Sequence, residues 1–295
     1  MIRKLLLAIS AFAMASALIA DFPDDFQAAR KFFDTGKNKE AQEFFEKLAA
    51  SAPTPKNKAE CLSYAAKALG RDKTQYDAAI EAAKKIEVKE ISISTQMSLM
   101  IDSRKFKELL DAFKDEDFGK FPEVYQQQTY YMRGYAERQL GQSDAAKKDF
   151  IKAVETAGSD SSVKINALAA LDDVYFQAKD YENVVKTSKQ VFELKGFNNS
   201  WCYLVPVLNC ANAQVAQGKL DDALETMKLL DHMNSGVYRC QALVLLGDIY
   251  AAQGKKDEAA KNYNEAAGMK GQSGIQDYLP AQAQKKKEEL GKQVE

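Results

Sequence analysis

Histidine is almost missing from this 295-residue chain, with His232 the single example. One imidazole cannot build a metal site by itself. Its place after Leu229-Leu230, near the end of a helical stretch, suits the cation preference of helix C-termini better than catalysis. Cysteine is sparse too: Cys61, Cys202, Cys210 and Cys240, with no Cys-x-x-Cys pair among them, which argues against zinc. Six prolines and fifteen glycines are few breakers for this length. Neither sign of charge prevails, with 41 basic residues against 42 acidic. A general nucleic-acid binder needs a basic face to displace counterions, so that class is disfavoured. No phosphate-cradling glycine loop and no nucleophile elbow occurs. The adjacent carboxylates Asp172-Asp173 and Asp221-Asp222 read most simply as helix or turn charges. No catalytic residue, metal ligand or cofactor is expected.

Long apolar runs are confined to the N-terminus. Arg3 and Lys4 precede an uncharged stretch from Leu5 to Ala20, and charge returns abruptly at Asp21, Asp24 and Asp25. Ala15-Ser16-Ala17 supplies a small-x-small cleavage pattern, with Ala20 a second candidate. This is the layout of a secretory signal peptide over residues 1–20. A membrane anchor is the alternative, but the run is slightly short for a core that takes about 20 apolar residues, and its Ala and Ser content inserts weakly. No cysteine near the cleavage region offers a lipid anchor. The expectation is an exported chain, periplasmic or secreted. It should be soluble after signal removal, start near Leu18 or Asp21, and have no transmembrane segment in its mature part.

Abundant Ala, Lys, Glu, Gln and Leu favour helices, and the helices repeat. Gly134, Gly141, Ala146, Phe150 and Ala153 are matched in spacing by Gly247, Gly254, Ala259, Tyr263 and Ala266. Gly134 and Gly247 cost helix propensity and so imply a close partner helix, while Gly141 and Gly254 suit a left-handed helix stop. Phe150 and Tyr263 are expected to fill the space between one pair and the next. Weaker copies carry Ala29, Gly36, Ala41 and Phe45; Ala66, Ala79 and Ala83; Leu171, Val184 and Val191; and Ala211, Gly218, Ala223 and Met227. The second copy has extra turn residues around Arg71 to Thr74. Met97, Leu109 and Phe113 mark the weakest copy. The second-helix anchors are Ala41, Ala79, Leu109, Ala146, Val184, Ala223 and Ala259, and the short step from Ala79 to Leu109 leaves the third register open. Arg133 and Glu137 stand where apolar residues are usual.

This pattern resembles the tetratricopeptide repeat, a helix pair of about 34 residues; unrelated helical hairpins are the alternative that the near-constant spacing opposes. The resemblance implies an all-α, right-handed α-solenoid of about seven helix-turn-helix repeats over residues 21–273. Residues 274–295, with the charged run Lys285–Glu289, are expected to form a polar C-terminal capping helix. Members of the family line a concave groove with the first helix of each pair. Transferred by position, that groove contains Gln128, Tyr131, Tyr135 and Arg138 in repeat four, and Asn166, Asp173 and Phe176 in repeat five. Asn212, Gln241, Val244 and Asp248 follow in repeats six and seven. Exposed Tyr and Arg commonly carry binding energy, although these aromatics would equally serve as packing between repeats. The lysines of the family's chaperone-binding clamp are missing at these positions. If adjacent first helices run side by side, Cys202–Cys240 is the one bridge worth entertaining; buried free thiols are the simpler reading. The function implied is a non-enzymatic scaffold of the cell envelope that binds a protein or peptide partner. A module for small ligands, such as glycan or peptidoglycan fragments, is the alternative.

Overall fold

The computed structural model describes residues 22–158, 162–194, 196, 200–232 and 236–292. The expected signal peptide, residues 1–20, lies outside them. Among the described residues there are fifteen α-helices and no strand. The helices group into two compact units, the first ending at Thr156 and the second beginning at Ala157. The fold class is thus all-α, built from helix-turn-helix repeats.

In the first unit, α1 (residues 22–34) pairs with α2 (Asn38–Ala50), and α3 (Pro55–Gly70) with α4 (Tyr76–Lys84). The third pair is α5 (Lys89–Asp102) with α6 (Phe106–Phe113), and the fourth is α7 (Glu123–Gln139) with α8 (Ser143–Thr156). The second unit continues with α9 (Ser162–Gln177) and α10 (Tyr181–Phe192), then α11 (Trp201–Ala216) and α12 (Leu220–Met227). It ends with α13 (Val237–Ala252), α14 (Lys256–Ala267) and α15 (Tyr278–Lys292). First helices adjoin one another within each unit, α3 to α5 to α7 and α9 to α11 to α13.

Every expected second-helix anchor falls on the fourth residue of its helix, and all seven are fully buried, Leu109 of the third repeat included. That settles the open register. The short step before Leu109 reflects α4, which has 9 residues where α2 has 13. The extra residues before α4 form a 3-10 turn, Lys73–Gln75, capped by Asp72, which accepts from the Thr74 amide at 3.0 Å. The other six pairs close with three-residue turns. At the middle of these turns Gly141 and Gly254 have φ of 75° and 76°, in the region glycine enters without a Cβ clash. Arg104 and Lys179 adopt the same conformation, with φ of 59° and 58°.

The residue four after each anchor is buried as well: Phe45, Ala83, Phe113, Phe150, Ser188, Met227 and Tyr263. Phe150 and Tyr263, expected from sequence to fill the space between one pair and the next, also pack within their own pair. They cover the helix notch left by the glycine of their own pair. A Cβ on Gly134 would meet two Phe150 ring carbons at 3.0 Å and the Ala146 carbonyl at 3.2 Å. One on Gly247 would run into the Tyr263 ring itself. These glycines exist because the ring needs their volume.

The end of the second unit is closed by α15. Leu279 and Ala283 join Cys240, Leu243, Val244, Ala266, Met269 and Ile275 in one core cluster. Lys286 donates to both oxygens of Asp248, at 2.6 and 2.8 Å, and Tyr263 donates to Oδ1 at 2.7 Å. Val244 and Asp248 are therefore not open groove residues; the cap covers the first and holds the second. All four cysteines are buried free thiols, so no Cys202–Cys240 bridge forms. No helix among the described residues is long and apolar enough to cross a membrane.

Candidate binding site

The first unit presents a cleft of about 320 Å³ across its four first helices. Phe26 comes from α1; Glu60, Ser63, Tyr64 and Lys67 from α3; Ser94 from α5; Tyr125 and Gln128 from α7. Tyr64 is its aromatic hub. The ring stacks on buried Phe45 at 4.9 Å and meets Phe26 and Phe33 edge-on at 5.5 and 5.4 Å. Arg30 and Lys67 each lie 5.8 Å from its centroid, within cation–π range. Polar links brace the floor: Ser63 to Thr95 at 2.7 Å, and Ser94 to Gln128 at 3.3 Å.

Electrostatics follow from the concave setting. Burial lowers the Lys67 pKa, and Asp102 partly restores it. Burial also raises Asp102, against the pull of Lys67 and Arg71. The Tyr125 phenol is pushed up to about 12, first by burial and then by Glu60 and Glu90. It therefore stays protonated and serves as a neutral hydrogen-bonding group at physiological pH.

Of the sequence-predicted contacts, Gln128 lies in this cleft. Tyr131, Tyr135 and Arg138 continue along α7, all half-buried. Tyr131 packs 6.0 Å from Phe150 and 6.4 Å from Tyr135. Tyr135 meets Phe106 at 6.1 Å and carries the Arg138 guanidinium at 5.5 Å. On the opposite side of α7, Arg133 forms a bidentate pair with Asp149 at 2.5 and 3.0 Å while lying 4.7 Å from the Phe118 ring. This explains the charge at an apolar repeat position: the guanidinium is stacked and paired. Glu137, one turn on, is pushed up to about 7 by burial and by Asp149, against Arg133.

The second unit contributes Asn166, Asp173 and Phe176 on α9, all half-buried. Asp173 accepts from Gln177 at 3.1 Å. Further along, a cleft of about 310 Å³ lies between α11 and α13. Val205, Leu208, Asn209 and Asn212 form one wall, and Tyr238, Gln241 and Leu245 the other. No charged side chain lines it, unlike the cleft of the first unit. A third cleft, about 380 Å³, opens among α12, α13 and α14, where Arg239 and Glu265 form an ion pair in its wall.

Sequence reasoning missed Phe26, Tyr64, Lys67 and Tyr125 in the first unit, and Asn209 and Tyr238 in the second. The signal was present in part: Ser63 stands three before the small residue Ala66, as Tyr131 stands three before Gly134. A lysine, Lys67, does reach the first-helix face. His232 is exposed just beyond the 3-10 turn Lys228–Leu230. Asp172 is a helix residue, as its sequence suggests, but it is fully buried, accepting from Ser188 at 2.5 Å and from Asn209 at 2.7 Å.

Comparison with known proteins agrees with this architecture. Residues 127–160 match the tetratricopeptide repeat model and residues 173–290 a tetratricopeptide repeat-like domain. The chain is a tetratricopeptide repeat protein. Among solved structures it is similar to the C-terminal part of a TPR repeat-containing protein from Cytophaga hutchinsonii. The two share 17% identity over 82% of this chain and 94% of that one, with a TM-score of 0.53. It is also similar to YrrB, described as a TPR protein with an unusual peptide-binding site. Identity there is 18% over 71% of this chain and 97% of YrrB, with a TM-score of 0.52. No curated protein sequence matches the chain.

Proposed function

We propose that this protein is a non-enzymatic scaffold that binds a protein or peptide segment against its first-helix faces. The observation that carries the reading is the cleft over α1, α3, α5 and α7, where half-buried Phe26, Tyr64, Tyr125 and Gln128 sit beside Lys67 and Glu60. Aromatic rings with polar edges, held rigid by packing on one side only, are what interface centres use. The peptide-binding site attributed to YrrB supports the same use of this fold. Gln128, Tyr131, Tyr135 and Arg138 extend the surface along α7, and Asn166, Asp173 and Phe176 are the corresponding contacts on α9.

Export belongs to the same proposal and rests on the charge and hydropathy layout of residues 1–20. N-terminal sequencing of the protein recovered from envelope fractions should begin near Leu18 or Asp21; recovery of an intact Met1 terminus in the cytoplasm would refute it. Pull-down from envelope extract tests binding. A partner recovered with wild type should be lost with Tyr131→Ala plus Arg138→Ala, with the helical circular dichroism spectrum retained at the temperature of the assay. Retention of the partner by that double variant would overturn the α7 assignment.

One feature favours a second reading. The uncharged cleft of Asn209, Asn212, Tyr238 and Gln241 offers amides and one ring to a small neutral ligand such as a glycan fragment. A thermal-shift series with cell-wall fragments tests it, and an unmoved melt at saturating ligand would eliminate it.

A further inference from the structure

The fifth repeat carries a carboxylate where four others carry a small residue, Ala29, Gly134, Ala211 and Gly247. Asp172 is fully buried on α9, and Ser188 on α10 is equally closed to water. Asn209 and Pro206 approach from α11. The Ser188 hydroxyl lies within donating distance of two acceptors, Asp172 Oδ1 at 2.5 Å and the Pro206 carbonyl at 3.1 Å. Asn209 Nδ2 donates to Asp172 Oδ2 at 2.7 Å.

Counting hydrogens decides what this arrangement means. A serine hydroxyl has one proton to donate. If Asp172 is ionised, Ser188 must give that proton to the carboxylate, and its contact with the Pro206 oxygen has no hydrogen in it. If Asp172 carries a proton on Oδ1, that proton bonds to Ser188 Oγ, and Ser188 is free to donate to Pro206. Asn209 is satisfied in both states. Only the protonated acid supplies a separate hydrogen to each of these three contacts.

We infer that Asp172, Ser188, Asn209 and the Pro206 carbonyl form a proton switch in the core of the second unit. It holds a proton on Asp172 Oδ1 in the observed geometry, and it releases the Ser188–Pro206 contact when that proton leaves for solvent. The charge formed stays inside α9, α10 and α11. Among the described residues no cation forms an ion pair with it. Asp173 on α9 is the charged neighbour acting on Asp172, and it opposes ionisation. On α11 the Cys210 thiol feels the Asp172 charge and interacts with the Ser188 and Thr226 hydroxyls, and Lys189 of α10 acts on the same thiol. Burial pushes Asp172 up to about 7, with Ser188 and Asn209 pulling the other way.

Ionisation changes two helix contacts in opposite senses. The α10–α11 link through Pro206 weakens, and the α9–α11 link through Asn209 becomes charge-assisted and tighter. Asn209 also walls the cleft between α11 and α13. Cleft occupancy and the proton thus share one side chain. This regulatory consequence rests on the cleft being a binding surface; the titration needs no ligand, so the two ideas fail separately.

The test is a pH titration of the full chain, following the side-chain NH2 resonances of Asn209 by NMR from about pH 4 to 9. Wild type should show a transition near neutrality that Asp172→Asn abolishes. A transition confined to the ordinary carboxylate range, or none at all, would overturn the inference. Should Asp172→Asn not fold, infrared spectroscopy of Glu137→Gln, which removes the other carboxyl pushed up to about 7, decides. A protonated-carboxyl stretch that persists at pH 6 and disappears above pH 8 supports the switch, and its absence at pH 6 refutes it.

Discussion

Two kinds of helix pair in this molecule solve the same contact differently. In α7/α8 and α13/α14 a glycine faces a ring, Gly134 under Phe150 and Gly247 under Tyr263. In α9/α10 the equivalent sites hold Asp172 and Ser188, joined by a hydrogen bond. The first solution uses shape: the missing Cβ is the space the ring occupies. The second uses polarity, and it introduces a group whose charge state depends on the medium. Interchangeable backbone geometry therefore hides unequal chemistry. The glycine–ring contacts themselves should be indifferent to pH, and the Asp172–Ser188 contact should not.

The largest expected effect concerns that difference. Asp172 has its folded pKa raised to about 7, against about 3.9 when unfolded. Below pH 4 both states are protonated and the group is neutral in its effect. Between about pH 4 and 7 only the unfolded state ionises, so stability falls as pH rises, and it levels off above. At 1.36 kcal/mol per pKa unit the loss approaches about 4 kcal/mol. Urea melts of wild type should show this fall, and Asp172→Asn should reduce it to the part that Glu137, also pushed up to about 7, contributes. A flat wild-type profile across that window would collapse the contrast between the two kinds of pair.

Next in size is Gly247→Ala. Its Cβ runs into the Tyr263 ring, which is also bonded to Asp248 and so cannot swing away freely. Overpacking of this kind costs about 2 to 3 kcal/mol, read as a lower urea midpoint. Gly134→Ala should cost less, about 1 kcal/mol, because its closest contacts are 3.0 Å and helix propensity returns part of the loss. Equal costs would show that the tightness of the notch does not matter.

The smallest effect contrasts two turns. Gly141 and Lys179 share the left-handed conformation, with φ of 75° and 58°. Replacing Lys179 with Gly should raise stability by about 0.5 to 1 kcal/mol by relieving the Cβ clash. Gly141→Ala should lower it by a similar amount. A destabilised Lys179→Gly variant would mean that the lysine side chain contributes more than its backbone strain costs.

How much of this was legible in the sequence varies with the physics involved. The anchor series was readable because the fourth residue of each second helix is buried in every repeat, whatever its identity. Even Leu109 keeps the position. The turn before α4 was visible as extra residues, but not as a 3-10 turn capped by Asp72. The glycine–ring contact within each pair was not legible, because spacing along a chain does not say which helix a ring leans on. The burial of Asp172 was not legible, because an aspartate beside another aspartate on a helix carries no sign of it. Its partners Ser188 and Asn209 are distant in sequence and meet it only in the fold. The first-unit cleft escaped for a similar reason: Phe26, Tyr64 and Tyr125 are spread over three helices. Val244 and Asp248 were placed in an open groove because nothing in their own repeat announces that Lys286 and Leu279 will cover them.

The buried thiols give the molecule an unplanned clock. Burial pushes Cys61 up to about 12 and Cys210 up to about 11, so neither offers thiolate to an alkylating reagent while its helix pair is closed. Cys61 belongs to the first unit, and Cys202, Cys210 and Cys240 belong to the second. The rate at which each becomes labelled therefore counts openings of its own neighbourhood. Raising the pH through neutrality should quicken labelling of Cys210, which adjoins Asp172, beyond the general gain in thiolate that Cys61 also shows. One reagent and one chain would thus time the two units independently.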